Sequence, residues 1–298
     1  MLASTLVKRV VLTVIGLLAG LAAWPVAEVF LVLQSSFSTY FFFSTLLGIS
    51  FGLVLGAFFG SSEGIIQGSL QQAMSGMTFG ALVGMMGGGV GFFMGQAVLF
   101  LVGELLIHSN KNLNAIGLPL SRTVGWAVMG IFIGLIEGVR AKSMAKIKVG
   151  VIGGFIGGVL GGLALEYFKL LAPELKQGRL AGLLVFSGLI GLFLGLVERR
   201  MSHGTLSILN GKNKGREYPI VQKKMRIGKS LRSDIKLQDY EKVLNTHAEL
   251  RVDKGGVSIK RLKSEAQIWI NEEPVEEKIL EFDDVIKIGT ARCMYSPK

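Results

Sequence analysis

Six long apolar runs dominate the first two thirds of the chain and limit what it can fold into. They cover approximately residues 10–33, 40–60, 76–107, 123–139, 149–171 and 180–197. Residues 61–75, between the second and third runs, are predicted to form a loop that could contain a short interfacial helix. A helix needs ~20 apolar residues to cross a bilayer, where backbone polar groups must be satisfied within the helix. The pattern therefore predicts an all-α bundle of six transmembrane helices over residues 1–200. The basic start before the first run is also typical of a cleaved signal peptide, but the repeat described next uses this run as a retained helix.

Three of these runs contain the same motif, G-x-x-x-G-x-x-E, in which two glycines and a glutamate share nearly one helical face. The copies are Gly56, Gly60 and Glu63; Gly130, Gly134 and Glu137; and Gly191, Gly195 and Glu198. Glycines four residues apart form a flat strip that lets another helix approach closely. Three copies of one motif predict a repeated structural unit.

A second repeat aligns the first, third and fifth helices. The shared positions are Gly16, Gly84 and Gly154, followed twelve residues later by Glu28, Gln96 and Glu166. Together the two repeats predict three helical hairpins, 1–2, 3–4 and 5–6, with approximate threefold internal symmetry. The glycine rows favour close packing over a pore wall, because a pore usually also shows a polar stripe.

The carboxylates of the apolar runs have two interpretations. Ionisable residues inside a bilayer are costly and indicate functional sites by default, so Glu28 and Glu166 are candidate transport carboxylates, and the three motif glutamates could ring a cation or proton path. Alternatively, the motif glutamates lie at the headgroup boundary and pair with Arg140, Arg199 or the loop backbone. Their position at helix ends favours the second interpretation.

The last third of the chain has a different character. Residues 199–298 hold 21 of the 32 Lys and Arg residues and 14 of the 21 acidic residues. Short stretches rich in β-formers, such as Met225–Ile227 and Val257–Ile259, alternate with turn residues such as Asn210-Gly211, which predicts an all-β sandwich over residues 203–298. Basic residues at the helix ends favour a cytoplasmic N-terminus, and six crossings then place the β-domain in the cytoplasm. The predicted location is the cell membrane.

This β-rich stretch resembles a forkhead-associated (FHA) domain. The matching segments are Ile227–Ser230, Ser233–Leu237, Val243–Leu250, Trp269–Asn271 and Phe282–Gly289. The resemblance implies an eleven-stranded β-sandwich that binds phosphothreonine peptides through loops at one end. It also implies structural roles for Gly228, His247 and Asn271.

Three departures from the family pattern bear on phosphate binding. The family's arginine is Lys229 here, its serine is Leu244, and its asparagine is Ala266. Lysine keeps the positive charge but lacks the planar fork that grips phosphate through two parallel hydrogen bonds. A weaker site for phosphopeptide or another partner remains, formed by Lys229, Arg232, Asn245, Thr246, Lys263 and Ser264.

These features predict a membrane-anchored signalling or scaffold protein that docks a protein partner, with phosphothreonine dependence left open. The alternative is a small transporter or channel regulated by the β-domain. No enzyme activity or cofactor is predicted: the G-x-S-x-G serine, Ser50, has only His108 as a base in residues 1–198, and a serine nucleophile needs an adjacent base. A single cysteine predicts no metal site, no nucleic-acid-binding motif is present, and the sequence leaves the oligomeric state undetermined.

Overall fold

The computed structural model describes residues 5–108, 117–171, 176–230, 233–253 and 255–297. The chain divides into two compact units, one of residues 9–197 and one of residues 198–298 with the start of the chain. The helices are α1 (Thr5–Val32), α2 (Tyr40–Ile66), α3 (Leu70–His108), α4 (Leu118–Arg140), α5 (Met144–Leu171) and α6 (Lys176–Met201), with a 3₁₀ helix at Gln34–Ser36. The boundaries at residues 200 and 203 remain predictions.

All six helices are long and apolar enough to cross a membrane, which confirms the predicted helical region. The helices reach further than the apolar runs do. The predicted loop over residues 61–75 is wrong, because α2 continues to Ile66 and α3 begins at Leu70. The hydroxyls of Ser61 and Ser62 donate to carbonyls three residues earlier, so these polar residues satisfy themselves within the helix. Gly68 makes the intervening turn with a φ of 67°.

The glycine strips lie where two helix backbones meet. A β-carbon on Gly134 would lie 1.9 Å from the carbonyl oxygen of Gly150, and one on Gly16 would lie 2.3 Å from that of Ser187. A row of glycines on α2 faces a row on α3 in the same way. The closest backbone approaches therefore join α2 to α3, α4 to α5 and α6 to α1, between the predicted hairpins rather than within them. The hairpin repeat itself remains a prediction.

Large aromatic side chains fill the middle of the bundle. The ring of Trp126 lies 4.7 Å from that of Phe186, 5.1 Å from that of Phe92 and 5.8 Å from that of Phe51, measured between ring centroids. Trp126 and Phe186 are both buried. Bare glycine backbones at the helix contacts and bulky rings at the centre thus fill complementary spaces.

The remaining residues form a two-layer sandwich of eleven strands. They are β1 (Gly204–Ile208), β2 (Glu217–Pro219), β3 (Lys224–Gly228), β4 (Ile235–Lys236), β5 (Ala248–Asp253), β6 (Gly256–Arg261), β7 (Ile268–Ile270), β8 (Glu273–Val275), β9 (Glu277–Ile279), β10 (Val285–Ile288) and β11 (Ala291–Pro297). One sheet has the order β2-β1-β11-β10-β7-β8 and the other β4-β3-β5-β6-β9. This confirms the predicted all-β sandwich.

The core of the sandwich comes from alternating side chains of both sheets. Ile227, Leu250 and Ile259 of one sheet and Ile286 and Cys293 of the other belong to a single buried cluster. Strand β11, which pairs with β1 and β10 over most of its length, was not anticipated from the sequence. Its polar residues interrupt the apolar pattern, so only its neighbours reveal it as a strand.

Candidate functional site

Three loops meet at one end of the sandwich, and the first contact joins the β3–β4 loop to the β4–β5 loop. The backbone N–H groups of Lys229 and Ser230 donate to the carbonyls of Leu244 and Asn245, at 3.0 and 3.2 Å. A β-carbon on Gly228 would lie 2.2 Å from the carbonyl oxygen of Asn245. Glycine is therefore required where β3 ends, because only a bare backbone allows the loops to lie this close.

His247 ties the β4–β5 loop to the β6–β7 loop from a buried position. Its Nδ1 accepts a hydrogen bond of 3.2 Å from the Leu244 N–H, so Nε2 carries the proton and donates to the Gln267 carbonyl at 2.9 Å. Burial lowers the pKa of His247, and the bond to the Gln267 carbonyl partly offsets this shift. The ring is a neutral clamp beneath the loops rather than a surface cation.

The predicted binding residues lie on these three loops. Lys229 and Thr246 are half-buried, while Asn245, Lys263 and Ser264 are exposed. Arg232 lies outside the described residues. The backbone contacts bring Lys229 beside the Asn245 segment, and the His247 clamp fixes the loop that carries Lys263 and Ser264. The end of the sandwich therefore presents cations, an amide and hydroxyls on a braced backbone.

Two of the three positions that depart from the FHA pattern, Leu244 and Ala266, carry no polar side chain. Leu244 is half-buried, and Ala266 is fully buried. Ala266 still takes part in a turn, since its N–H donates to the Lys263 carbonyl at 3.0 Å. The loop conformation is thus maintained by backbone hydrogen bonds, without the hydroxyl and amide that the family places there.

Asn271 lies at the opposite end of β7 from these loops. It adopts a left-handed backbone with a φ of 52°, its Nδ2 donates to Asp284 at 2.7 Å, and its Oδ1 accepts from the Val285 N–H at 2.9 Å. These bonds hold the β7–β8 turn against the start of β10. Asn271 therefore stabilises this turn and lies away from the predicted binding residues.

Residues 207–298 match the family described as "Inner membrane component of T3SS, cytoplasmic domain". The eleven-stranded sandwich and this match agree in position. The C-terminal domain is FHA-like. The match covers only about a third of the chain, so it leaves the helical bundle unassigned.

Several solved structures resemble the FHA-like domain. An FHA domain from Chlamydia trachomatis is 23% identical, over 33% of this chain and 99% of that chain, with a TM-score of 0.30. A protein from Synechocystis sp. is 26% identical, over 33% and 97% of the two chains, with a TM-score of 0.29. An FHA domain solved in complex with an intracellular domain is 27% identical, over 31% and 98%, with a TM-score of 0.29. TM-scores of 0.29–0.30 do not by themselves support a functional assignment. No curated protein matches the chain.

The helix-end glutamates of the bundle have polar partners. Glu137 pairs with Lys146 and Glu198 with Lys8, each at 2.8 Å, while Glu63 accepts a hydrogen bond from Gln67. Lys8 and Lys146 lie eight residues before Gly16 and Gly154. The repeat register could therefore have identified both lysines as partners.

The third copy of this arrangement is different. The position that corresponds to Lys8 and Lys146 is Gly76 on α3, and a β-carbon there would lie 2.4 Å from Nη1 of Arg140. That guanidinium donates to the carbonyls of Gly60 and Gln72, each at 3.2 Å. Arg140 thus donates hydrogen bonds to backbone carbonyls of α2 and α3, whereas the sequence interpretation gave it as one possible partner of the motif glutamates.

The deeper carboxylates are both held by an arginine. Glu28 accepts two parallel hydrogen bonds of 2.9 Å from Arg179 on α6. Glu166 is 3% exposed and pairs with Arg122 on α4 at 3.3 Å, and it also accepts from Trp126 Nε1 at 3.1 Å. The sequence interpretation missed these two arginines, which lie in or near apolar runs at unequal positions of the repeat.

The corresponding residue of α3 forms a neutral pair. Gln96 donates to the hydroxyl of Ser44 on α2. Each odd-numbered helix is thus linked at this level to the even-numbered helix that its glycines contact. Two of these links are ionic and one is an amide–hydroxyl link.

A cavity of about 430 Å³ opens within the bundle at this level. Gln96 and Glu166 line it, together with Arg122 and Arg179. Glu28 contacts the cavity only through Arg179. Within the described residues, no group of His, Cys, Asp and Glu side chains is arranged to hold a metal ion.

Proposed function

We propose that this chain is a membrane-anchored scaffold whose FHA-like domain docks a protein partner in the cytoplasm. The observation that carries the proposal is the braced loop end, where backbone bonds and His247 fix three loops that present Lys229, Asn245 and Lys263. Binding residues are commonly found on loops held by a rigid scaffold. The family description for residues 207–298 supports an inner-membrane location with this domain on the cytoplasmic side. The assignment is to a binding module rather than an enzyme.

The chemistry of the loop end favours an acidic or phosphorylated segment as the docked group. Lys229 supplies a point charge, Thr246 a hydroxyl and Asn245 an amide, all of which can donate to phosphate oxygens. The missing serine and asparagine remove two further donors. Because a hydrogen bond to a charged group contributes about 1.5–3 kcal/mol, we expect phosphothreonine peptides to bind more weakly than at a complete FHA site.

A peptide-binding assay on the full chain in lipid nanodiscs tests the docking site. Phosphothreonine peptides and their unphosphorylated versions are screened by fluorescence anisotropy against the parent chain and Lys229→Ala. We expect the phosphate to strengthen binding and Lys229→Ala to weaken it about tenfold, which corresponds to ~1.4 kcal/mol. The matched control is Lys223→Ala, since this exposed lysine lies just before the other end of β3.

Two outcomes separate docking from phosphate recognition. If partners captured from extracts bind equally before and after phosphatase treatment, and Lys229→Ala has no effect, then docking is independent of phosphate. If neither peptides nor purified captured partners bind the parent chain in the assay, the docking proposal itself is wrong.

The single cysteine makes the proposed orientation testable. Cys293 is fully buried, and burial raises the pKa of its thiol to about 12, so the native chain should resist thiol reagents. A cysteine introduced at exposed Lys212 should react with an impermeant maleimide only when the cytoplasmic side is accessible. Labelling of intact cells would contradict the cytoplasmic placement.

A regulated transporter or channel is the second candidate, and the cavity beside Gln96 and Glu166 favours it. Against it, the glutamates of the two repeats have hydrogen-bonded or ionic partners, and glycine contacts pack the helices closely. The test is a proteoliposome flux assay with monovalent cations and protons, in which Glu166→Gln should reduce any flux. Absence of flux in the parent chain for these ions would leave the scaffold as the sole candidate.

A further inference from the structure

The bundle contains a cavity that the docking function does not use. Its volume of about 430 Å³ lies in the range of ~300–1,000 Å³ that is typical of small-molecule sites. Phe51, Phe92 and Leu47 contribute to its apolar wall. Leu31 and Tyr40, which are exposed, also belong to the wall, so the cavity reaches the surface of the bundle.

The polar part of the wall is rich in hydrogen-bond donors. Arg122 donates to Glu166 and to the hydroxyl of Tyr40, and Arg179 donates twice to Glu28. A guanidinium carries five N–H donors, so within the described residues each arginine keeps donors beyond these bonds. A ligand that contacts this part of the wall must therefore accept hydrogen bonds.

The charged side chains of the wall are two arginines and one glutamate. Both arginines line the cavity with one carboxylate, Glu166, whereas Glu28 approaches Arg179 from outside the lining. The α2–α3 side is neutral, because Gln96 and Ser44 replace the ion pair there. The lining thus presents two guanidinium groups next to an aromatic and aliphatic wall, and each guanidinium is paired with one carboxylate, Glu166 or Glu28.

We propose that this cavity binds an anionic amphiphile, with its head and one of its hydrocarbon chains held inside the bundle. The head accepts hydrogen bonds from Arg122 and Arg179, where a partly desolvated guanidinium binds an anion more strongly than in water. The chain lies against Phe51, Phe92 and Leu47. Two sources share this chemistry, a free long-chain carboxylate and an acyl chain of an anionic bilayer lipid, and the experiment distinguishes them.

Trp126 provides a local reporter for occupancy. It lines the cavity and is 3% exposed, so lipid at the outer surface of the bundle does not contact its ring. The chain has three tryptophans, and Trp24→Phe with Trp269→Phe leaves Trp126 alone. Full chain with these two changes, in nanodiscs of unlabelled zwitterionic lipid, is titrated with dibromostearic acid, whose bromines quench tryptophan on contact. We expect saturable quenching, and at least about tenfold weaker apparent affinity for the uncharged methyl ester.

Matched variants separate cavity binding from partitioning into the bilayer. Leu47→Phe narrows the apolar part of the cavity and should weaken the saturable quenching, whereas Leu53→Phe, on the exposed face of the same helix, should leave it unchanged. Arg122→Gln with Glu166→Gln recreates the neutral pairing of the α2–α3 side and should weaken binding of the acid about tenfold. Its binding of the methyl ester should not change.

A second arm replaces the free acid with brominated bilayer lipid. Quenching by brominated phosphatidylglycerol but not by brominated phosphatidylcholine would support the proposal with a bilayer lipid as the occupant. Equal quenching by both lipids, equal affinity for acid and ester, or an affinity that Leu47→Phe leaves unchanged would overturn it, as would no quenching from either source.

If the tryptophan variants fail to fold, the native chain decides the question by thermal unfolding. Ligand that binds only the folded state raises the melting temperature. Stearate or phosphatidylglycerol should therefore raise it, and methyl stearate should not. No shift with either anionic amphiphile would overturn the proposal.

Discussion

The helical bundle and the FHA-like domain achieve close packing in opposite ways. In the bundle the helices meet where side chains are missing, as at Gly134 and Gly150, and polar links connect neighbouring helices. In the sandwich, large apolar residues such as Ile227 and Ile259 fill the space between the sheets. The difference follows from the solvent: water drives apolar side chains together, whereas lipid leaves backbone proximity and polar contacts to hold helices together.

The largest expected effect comes from adding side-chain volume to a glycine contact in the bundle. Gly134→Leu should prevent assembly, because even its β-carbon would lie 1.9 Å from the Gly150 carbonyl. The measurement is the yield of monodisperse protein by size-exclusion chromatography in detergent. The control is Gly188→Ala, where a β-carbon would contact only the flexible end of Leu17 at 3.1 Å. A normal yield for Gly134→Leu would show that assembly of the bundle does not depend on close backbone contact at this glycine, in contrast to our interpretation.

The next effect concerns the ionic links of the bundle. Arg122→Gln should destabilise the bundle by about 3 kcal/mol, because it leaves the buried Glu166 carboxylate without its cation. Glu166→Gln on the same chain should recover much of this loss. Hydrogen exchange measured by mass spectrometry on the full chain reads protection of α4 and α5 separately from that of the sandwich. In contrast, the exposed pair of Lys260 and Glu277 should contribute much less, because solvent screens the interaction.

Truncation of the sandwich core gives an effect of similar size in the other unit. Ile227→Ala should cost about 2–5 kcal/mol, because the buried side chain leaves a cavity between the sheets. The same hydrogen-exchange experiment should show loss of protection in β3 and β5 and unchanged protection in α2 and α3. Ile279→Ala, at a side chain that is 57% exposed, is the control. Equal loss in both units would contradict their separate packing.

The smallest effect is a pH dependence confined to the sandwich. The folded pKa of His247 is lowered below its ordinary value, so its contribution to stability is complete above pH ~6.5 and is lost as the pH falls toward the folded pKa. We expect a loss of about 1.4 kcal/mol for each tenfold difference in proton affinity between the folded and unfolded chain. Hydrogen exchange of the three loops at pH 7.5 and 5.5 measures it. His247→Gln should remove this component, and an unchanged pH dependence in that variant would assign it to another group.

Much of the architecture could be predicted because its signals are local. Six apolar runs of sufficient length predict six helices, and short β-rich stretches around Asn210-Gly211 and similar turns predict a sandwich. The predicted loop over residues 61–75 failed because Ser61 and Ser62 bond back to their own helix. Strand β11 was missed because its pairing with β1 and β10 comes from distant parts of the chain.

The candidate sites were less accessible to sequence reasoning. Resemblance to the FHA family indicated Lys229 and Asn245, and whether they bind phosphate remains a prediction. Arg122 and Arg179 carry no motif, because their ion pairs join residues 44 and 151 positions apart and the two arginines lie at different positions of the repeat. For Lys8 and Lys146 the sequence did contain a signal that the prediction did not use, because each lies eight residues before an aligned glycine.

The sequence by itself determined which segments cross a membrane, where the β-rich domain follows, and that glycine rows would bring helices together, because hydropathy and periodicity act over neighbouring residues. Only the tertiary structure decided which helices the glycines join, which arginine holds which carboxylate, and that a cavity opens beside Trp126. Those features depend on distances between residues tens to more than a hundred positions apart. Such distances are fixed by packing of the whole bundle, and they produce no repeating pattern in the sequence.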